Sequence, residues 1–220
     1  MTANPPFIYD PPLDDLDVLH IDDQILAVNK PSGLLSVPGK ALEHRDCLET
    51  RVKAAYPDAL LVHRLDMDTS GVMIFGRTPH AQKHIGGQFA KRYLKKTYIA
   101  RVDGVIAEDT GTVDLPLIVD WPNRPLQKVC NETGKPSITH WTVLERETDA
   151  TRIELKPETG RSHQLRVHML KIGHTILGDR FYGTDAVIAK AERLQLHAYD
   201  LSLRHPDGGE WLTITAPCPF

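Results

Sequence analysis

The sequence predicts an α+β fold with a mixed, mostly antiparallel sheet and flanking helices. Strand-like segments follow one another in runs instead of alternating regularly with helices, and this order is typical of the class. The 220 residues are 41% hydrophobic and 25% charged, the composition of a globular protein with a sizeable core. No apolar run approaches the roughly 18 residues that suggest a membrane span.

The first 91 residues are predicted to contain an extended arm, three short strands and two helices. Residues 1–20 hold four prolines and several acidic side chains but no Lys or Arg, so we expect an extended acidic arm. Strands are predicted at 25–29, 34–37 and 72–75, and helices at 47–56 and 79–91. Pro57 ends the first helix, and Pro79 fits the first turn of the second, where no backbone donor is needed.

The rest of the chain is predicted to be richer in strands. Strands are predicted at 96–102, 138–145, 152–156, 194–203 and 211–215, and a helix at 163–172. Alternation along the first of these strands places Tyr98, Ala100 and Val102 on one face. The stretch 115–136 is rich in proline and irregular, and its length suggests a functional loop.

Cysteine and histidine usage argues against a metal site or a disulfide framework. Cys47, Cys130 and Cys218 are scattered and odd in number, which suits a reducing compartment. The eleven histidines show no ligand spacing, and His63 and His168 are predicted to be hydrogen-bonded structural residues. The spacing of these cysteines and histidines therefore predicts no bound metal. Because the N-terminus carries no secretion signal, we expect a cytoplasmic protein.

The net charge of −3 conceals an uneven distribution. Residues 1–29 hold six acids and no Lys or Arg, which leaves 26 basic against 23 acidic residues in the remainder. Residues 77–101 contain seven Lys or Arg and no acid. Such a basic stripe suits a phosphate backbone better than a neutral metabolite. The predicted phosphate contacts are Lys83, Lys91, Arg92, Lys95 and Lys96.

The most informative segment, residues 63–71, reads His-Arg-Leu-Asp-Met-Asp-Thr-Ser-Gly. Apolar strand-like segments precede and follow it, and its Asp, Thr, Ser and Gly residues mark a loop. Loops held between rigid elements are where reactive groups meet a substrate. On composition alone, a turn whose Asp and Ser cap neighbouring backbone is the commoner interpretation.

Segment 63–71 resembles the signature around the catalytic aspartate of the RluA family of pseudouridine synthases. Further segments similar to family motifs follow the family's order at 22–34, 96–102, 159–168 and 177–183. Several matches in the right order are far more specific than any single one. The stretch 114–136 resembles the bacterial branch that acts on 23S rRNA and tRNA.

The resemblance implies a pseudouridine synthase fold, a curved mixed sheet divided by a central catalytic cleft. Residues 21–220 would form the catalytic domain, with no accessory RNA-binding domain before it. The implied reaction converts uridines to pseudouridine by base flipping, in a 23S rRNA hairpin loop and in tRNA anticodon stem-loops. This chemistry is redox-neutral and needs no cofactor. A monomer is expected because nothing resembles a dimer seam.

The resemblance assigns Asp66 as the catalytic carboxylate, acting as nucleophile or base. Arg166 is its expected partner, because an inward-facing cation on the helix would keep the carboxylate ionised in a dry pocket. By resemblance, Tyr98 stacks on the target base and Arg64 occupies the space that the flipped base leaves, while Leu165 walls the pocket. The structural alternatives are a core-flanking salt bridge for Arg166 and a buried strand tyrosine for Tyr98.

Two alternative functions belong to other classes. Residues 66–69 resemble the nucleophile motif of haloacid-dehalogenase phosphatases, with Asp179 and Asp185 as the later acids of that class. Such a phosphatase needs its first aspartate at the end of an apolar strand and alternating strands and helices, and the sequence has neither pattern. A catalytically silent RNA-binding protein would lack a reactive residue, whereas the expected carboxylate, tyrosine and arginine are all present.

Overall fold

One large sheet organises the computed structural model, which describes residues 9–220. The strands are β1 (Asp17–Ile21), β2 (Ile25–Lys30), β3 (Leu60–Leu61), β4 (Ser70–Gly76), β5 (Lys95–Asp103), β6 (Thr110–Asp114), β7 (Leu117–Val119), β8 (Gln127–Val129), β9 (Ile138–Arg146), β10 (Ala150–Pro157), β11 (Leu196–Arg204) and β12 (Trp211–Thr215). The helices are α1 (Leu48–Ala55), α2 (Pro79–Lys91), α3 (Gln164–Lys171) and α4 (Asp185–Ala189).

The main sheet has ten strands, and its central order is β1-β2-β4-β11-β5-β10-β9-β6. Strand β3 adds to β4 and β12 adds to β11, while β7 and β8 form a separate hairpin. Among the described strands, neighbours pair antiparallel except β4 and β11, which run parallel. The predicted α+β class with a mixed, mostly antiparallel sheet is therefore confirmed.

The parallel contact between β4 and β11 joins the two halves of the sheet. His197 lies opposite Ser70, and Ala198 lies opposite Gly71. Gly71 has a φ of 112°, and a Cβ atom there would lie 2.2 Å from the carbonyl oxygen of Ala198. Only glycine tolerates both this φ and this approach. At this point the backbones of β4 and β11 lie too close together for any side chain on residue 71.

Helices α1 and α2 cover opposite faces of the N-terminal half of the sheet. Along β4, Val72 and Ile74 belong to the core cluster under α2, whereas Met73 and Phe75 belong to the cluster under α1. Alternate strand residues point to opposite faces, so both faces of β4 are apolar. The longest helix, α2, has 13 residues, and within the described range no helix is long and apolar enough to cross a membrane.

The prediction of a strand at 34–37 is wrong, because these residues form no strand in the structure. The carbonyl oxygens of Leu35 and Ser36 accept hydrogen bonds from the amides of Leu48 and Glu49, at 2.8 Å and 3.2 Å. These amides begin α1 and have no partner inside their own helix. The segment therefore serves as a brace for the start of α1, and its carbonyl groups are unavailable for strand pairing.

Other elements also differ from the sequence prediction. The stretch 115–136 is not irregular throughout, because it contains the β7–β8 hairpin and a short 3-10 turn at Trp121–Asn123. Neither β6 nor α4 was predicted. The predicted end of the acidic arm, at residue 20, falls inside β1, which pairs with β2. Residues 1–8 of that arm lie outside the described residues.

Candidate active site

The loop between β3 and β4 carries Asp66, and a buried lysine supports it. The Lys30 side chain is 0% exposed. Its Nζ donates hydrogen bonds to the carbonyl oxygens of Met67 and Leu34, both at 2.7 Å, and of Pro31, at 2.9 Å. Burial lowers the pKa of Lys30 to about 7, against the charges of the loop's two carboxylates. The loop backbone is thereby tied to the end of β2.

Two serines hold the loop from the same side. Ser36 Oγ donates to the carbonyl oxygen of Leu65 at 2.7 Å and accepts from its amide at 3.1 Å. Ser32 Oγ donates to the carbonyl oxygen of Asp68 at 2.7 Å. All these contacts reach backbone atoms. The carboxylate of Asp66 itself has no hydrogen bond or salt bridge to another residue of the range 9–220, so it is left free to react.

The residues that the sequence predicts for the site line one cavity of about 110 Å³. They are Arg64, Asp66, Tyr98, Leu165 and Arg166. Three separate elements supply them, namely the loop before β4, strand β5 and helix α3. Arg64 is exposed, whereas Leu165 is buried. The fold thus brings all five together, while the role of each remains a prediction.

Tyr98 lies on β5, opposite Ala198 of β11 and Leu155 of β10. Burial strongly raises the pKa of Tyr98, and the charge of Asp66 adds to this increase. The phenol is therefore fully protonated near neutral pH. Such a side chain offers a flat apolar face together with a hydroxyl group that can donate a hydrogen bond.

Arg166 forms a buried bidentate ion pair with Asp179, not with Asp66 as the sequence analysis expects. Arg166 is 2% exposed, and its Nε and Nη2 donate to the two carboxylate oxygens of Asp179 at 2.8 Å and 2.5 Å. Burial opposes the charge of Arg166, but the bonds to Asp179 and the nearby Asp66 carboxylate hold its pKa above the usual value. Arg166 therefore brings a permanent positive charge to the cavity while its hydrogen bonds serve the fold.

The amides of Phe181 and Tyr182 explain why Asp179 is the preferred partner. They donate to Asp179 Oδ1 at 2.9 Å and 3.1 Å, so this carboxylate is held by backbone as well as by the guanidinium group. Arg166 also lies over both aromatic rings, at 4.9 Å and 5.3 Å from their centroids. Full pairing of this kind is what allows two charges to be buried together.

His163 precedes α3 and also lines the cavity. The hydroxyl of Tyr182 accepts from the amide of Gln127 at 2.9 Å and contacts His163 Nδ1 at 2.7 Å. The hydroxyl of Tyr182 thus joins His163 to the amide of Gln127. Burial lowers the pKa of His163, so the ring is neutral. This bond links the cavity to the β7–β8 hairpin.

Sequence reasoning missed Lys30, Asp179, His163 and Tyr182 as residues that build the site. Lys30 opens a Lys-Pro-Ser-Gly segment that reads as a simple turn. All four lie inside segments that resemble the family, but the pattern gives no sign of which residues pair. Only the folded chain brings Asp179 to Arg166.

The basic residues that were predicted to contact phosphates fall into two groups. Lys83, Lys91, Arg92 and Lys95 are exposed. Lys96 is partly buried, lines the cavity, and donates from Nζ to the carbonyl oxygen of Thr159 at 3.0 Å. Burial lowers the pKa of Lys96 to about 8. Lys96 is thus part of the cavity wall and not of the open surface.

His63 and His168 have the structural hydrogen bonds that the sequence predicts. His63 Nε2 accepts from the amide of Ile74 at 2.9 Å. The two ring nitrogens of His168 contact Thr139 Oγ1 at 2.9 Å and the carbonyl oxygen of Leu115 at 3.1 Å. For the phosphatase alternative, Asp179 would have to bind magnesium, but both of its carboxylate oxygens bind Arg166.

A family model described as RNA pseudouridylate synthase matches residues 24–171 of this chain. The dual-specificity RNA pseudouridine synthase RluA of Escherichia coli (strain K12) is 55% identical over 214 residues, which cover 96% of this chain and 98% of that protein. The protein of the same name from Yersinia pestis is 57% identical over 193 residues, covering 87% and 94% of the two chains.

Solved structures give the same answer for the fold. Human RNA pseudouridylate synthase domain containing 1 superposes with a TM-score of 0.81 at 27% identity, over 97% of this chain and 87% of that one. Human RNA pseudouridylate synthase domain containing 4 gives 0.75 at 26% identity, over 92% and 88%. These similarities confirm the resemblance to the RluA enzymes: the chain belongs to the RNA pseudouridylate synthase family and isomerises uridine in RNA to pseudouridine.

Proposed function

We propose that the enzyme modifies one uridine in a 23S rRNA hairpin loop and one in tRNA anticodon stem-loops, with Asp66 as the catalytic carboxylate. The relatives at more than 50% identity are named dual-specificity enzymes, which supports two RNA substrates. One observation carries the assignment of Asp66. Its unpaired carboxylate shares a cavity with the protonated Tyr98 and the permanently charged Arg166.

The proposed reaction begins when the target uridine leaves its stack and enters the cavity. Eversion costs a few kcal/mol, less from a loop than from a duplex, so hairpin loops are favoured substrates. Tyr98 supplies a stacking face for the uracil ring, and Leu165 closes the apolar side. Arg64, which is exposed beside Asp66, fills the gap that the base leaves in the RNA.

The chemistry then needs one carboxylate and no redox partner. The bond from N1 to C1′ breaks, the uracil turns, and C5 bonds to C1′. C5 loses a proton and N1 gains one, so the atoms balance. Asp66 acts on the nucleotide as nucleophile or base. The Asp66 carboxylate lies close enough to help hold the pKa of Arg166 above its usual value, although the two side chains form no direct ion pair in the described part of the chain.

The exposed basic residues of α2 and β5 are proposed to hold the RNA backbone. Lys83, Lys91, Arg92 and Lys95 would give affinity without reading sequence, as contacts to phosphates do. Binding should therefore weaken as salt is raised. We further propose that the catalytic domain comprises the main sheet from β1 onward with its helices, and that the enzyme acts as a cytoplasmic monomer.

Tritium release from 5-tritiated uridine tests the proposal on 23S rRNA and tRNA stem-loop transcripts. Wild type should release tritium from both, and Asp66→Asn from neither. Asp68→Asn is the matched control, because it changes a carboxylate two residues along the same loop. Release that persists in Asp66→Asn would refute the role of Asp66. Release from only one transcript would refute the dual specificity.

A further inference from the structure

A second cavity, of about 230 Å³, adjoins the one that contains Asp66. The two cavities share four lining residues, which are Arg64, Lys96, Tyr98 and Gly160. The second cavity is about twice as large as the first. The proposed reaction assigns no occupant to it.

The second cavity has an apolar floor and an aromatic wall. Val72, Ala198 and Leu201 contribute the apolar surface. On one side His63 stacks on Phe89, with 4.6 Å between the ring centroids and 24° between the ring planes. Flat rings beside apolar side chains are the surface on which proteins stack unpaired nucleobases.

His63, which lines this cavity, also carries a hydrogen-bond donor. His63 Nε2 accepts from the amide of Ile74, so the ring proton is on Nδ1. Among residues 9–220, Nδ1 has no hydrogen-bond partner. Burial lowers the pKa of His63 to about 3, so the ring offers a neutral N–H group. Asp200 also lines this cavity, whereas Arg64 and Lys96 line both cavities, so an acceptor-bearing nucleobase suits His63 and a phosphate suits the boundary between the two cavities.

The residues between the cavities suit the link between two nucleotides. Lys96 lines both cavities, and its Nζ is held by the carbonyl oxygen of Thr159. Arg64 also lines both and is exposed. A phosphodiester that joins two bases, one in each cavity, would pass these two cations.

We propose that the second cavity receives the nucleobase adjacent to the target uridine, so that the enzyme holds two consecutive bases out of the RNA stack. The inference rests on the proposed placement of the target uridine beside Asp66. The second base contributes to binding and to the choice of RNA, and not to the chemical step. Phe89 is accordingly a specificity residue, since it touches the neighbouring base and not the reacting atoms.

Binding of abasic RNAs to Phe89 variants tests this proposal. In a substrate stem-loop, the base on the 5′ or the 3′ side of the target is removed in turn. For wild type, one of these changes should weaken binding about tenfold, as expected when one base–aromatic contact is lost. Phe89→Ala should weaken binding of intact RNA by a similar factor, yet leave binding of that abasic RNA unchanged. His80→Ala, exposed on the same helix, is the control and should bind like wild type.

Phe89→Trp gives a second measurement that does not depend on a loss of stability. Its added tryptophan fluorescence should be quenched by intact RNA and not by the abasic RNA. Equal effects of Phe89→Ala on intact and abasic RNAs, or no weakening by either abasic site, would overturn the proposal. Tritium release by wild type and by Asp66→Asn separates the cases, because release that requires Asp66 leaves the Asp66 assignment intact even when Phe89 shows no coupling.

Discussion

The loop that carries Asp66 and the helix that carries Arg166 face the same cavity but are held by different contacts. The loop is fixed through its backbone, by Lys30 Nζ and by two serine hydroxyls. Helix α3 is fixed through its side chains, which include the bidentate pair of Arg166 with Asp179 and the two hydrogen bonds of His168. Because the loop is held through its backbone, the carboxylate of Asp66 stays free. The guanidinium group of Arg166, in contrast, both lines the cavity and forms a buried ion pair that holds the fold together.

Breaking the Arg166 side should have the largest effect on stability. Asp179→Asn leaves a guanidinium group buried without a counter-ion, and the free energy of unfolding should fall by about 4 kcal/mol. Urea denaturation measures this loss. The double variant Arg166→Met, Asp179→Asn removes both charges but keeps an acceptor for the amides of Phe181 and Tyr182, so it should recover most of the stability without tritium release. A loss below 1 kcal/mol in the single variant would mean that the pair does not hold this side.

Breaking the loop side should have the next largest effect. Lys30→Met leaves three carbonyl oxygens without their donor, and the free energy of unfolding should fall by about 3 kcal/mol. The rate of tritium release should also fall, because the loop that positions Asp66 is no longer tied to β2. Lys53→Met is the matched control, since Lys53 is an exposed lysine in a surface ion pair. Its change should stay within about 0.5 kcal/mol.

The two sides should also differ in their response to pH. The pKa of Lys30 is about 7 in the folded chain and near 10.5 when exposed, so the unfolded chain binds more protons between these values. Stability therefore rises with pH in this window. From pH 7 to pH 9, wild type should gain about 2 kcal/mol relative to Lys30→Met.

The Arg166 side supplies the control for this pH effect. The pKa of Arg166 is raised, so its charge is constant from pH 7 to pH 9. The stability difference between wild type and the double variant Arg166→Met, Asp179→Asn should therefore be independent of pH. A difference between wild type and Lys30→Met that is equally flat would show that Lys30 stays charged.

The smallest effect is expected for one serine of the loop side. Ser36→Ala removes the hydroxyl that contacts both the amide and the carbonyl of Leu65, and should cost about 1 kcal/mol. Ser32→Ala, which loses a single bond to Asp68, should cost less. Urea denaturation of the two variants in parallel measures both losses. The reverse order would mean that the loop is held mainly at Asp68 and not at Leu65.

Periodicity and motif order predicted much of the fold and the site, but not how the site is held. Tyr98 could be placed on a strand face from alternation alone. Residues 34–37 were mistaken for a strand because apolar content does not reveal that their carbonyl groups brace α1. Short contacts from one element to the start of another leave no periodic trace in a sequence.

The sequence also does not reveal which residues pair with buried charges. Asp179 lies 13 residues beyond Arg166, across a glycine-containing loop, and its two amide donors come from its own turn. Asp66 looked like the natural partner because it carries the reactive charge. The fold instead satisfies Arg166 with an acid that takes no part in the cavity, and this choice depends on three-dimensional packing.

The backbone contact at Gly71 has a mechanical consequence. Strand β4 leads out of the Asp66 loop, and β11 lies beside the strand that carries Tyr98. Because β4 and β11 pair directly at Gly71 and Ala198, the loop that carries the acid and the strand that carries the phenol belong to one continuous sheet. We therefore expect that the RNA loop, and not the sheet of the enzyme, changes its conformation when the two bind.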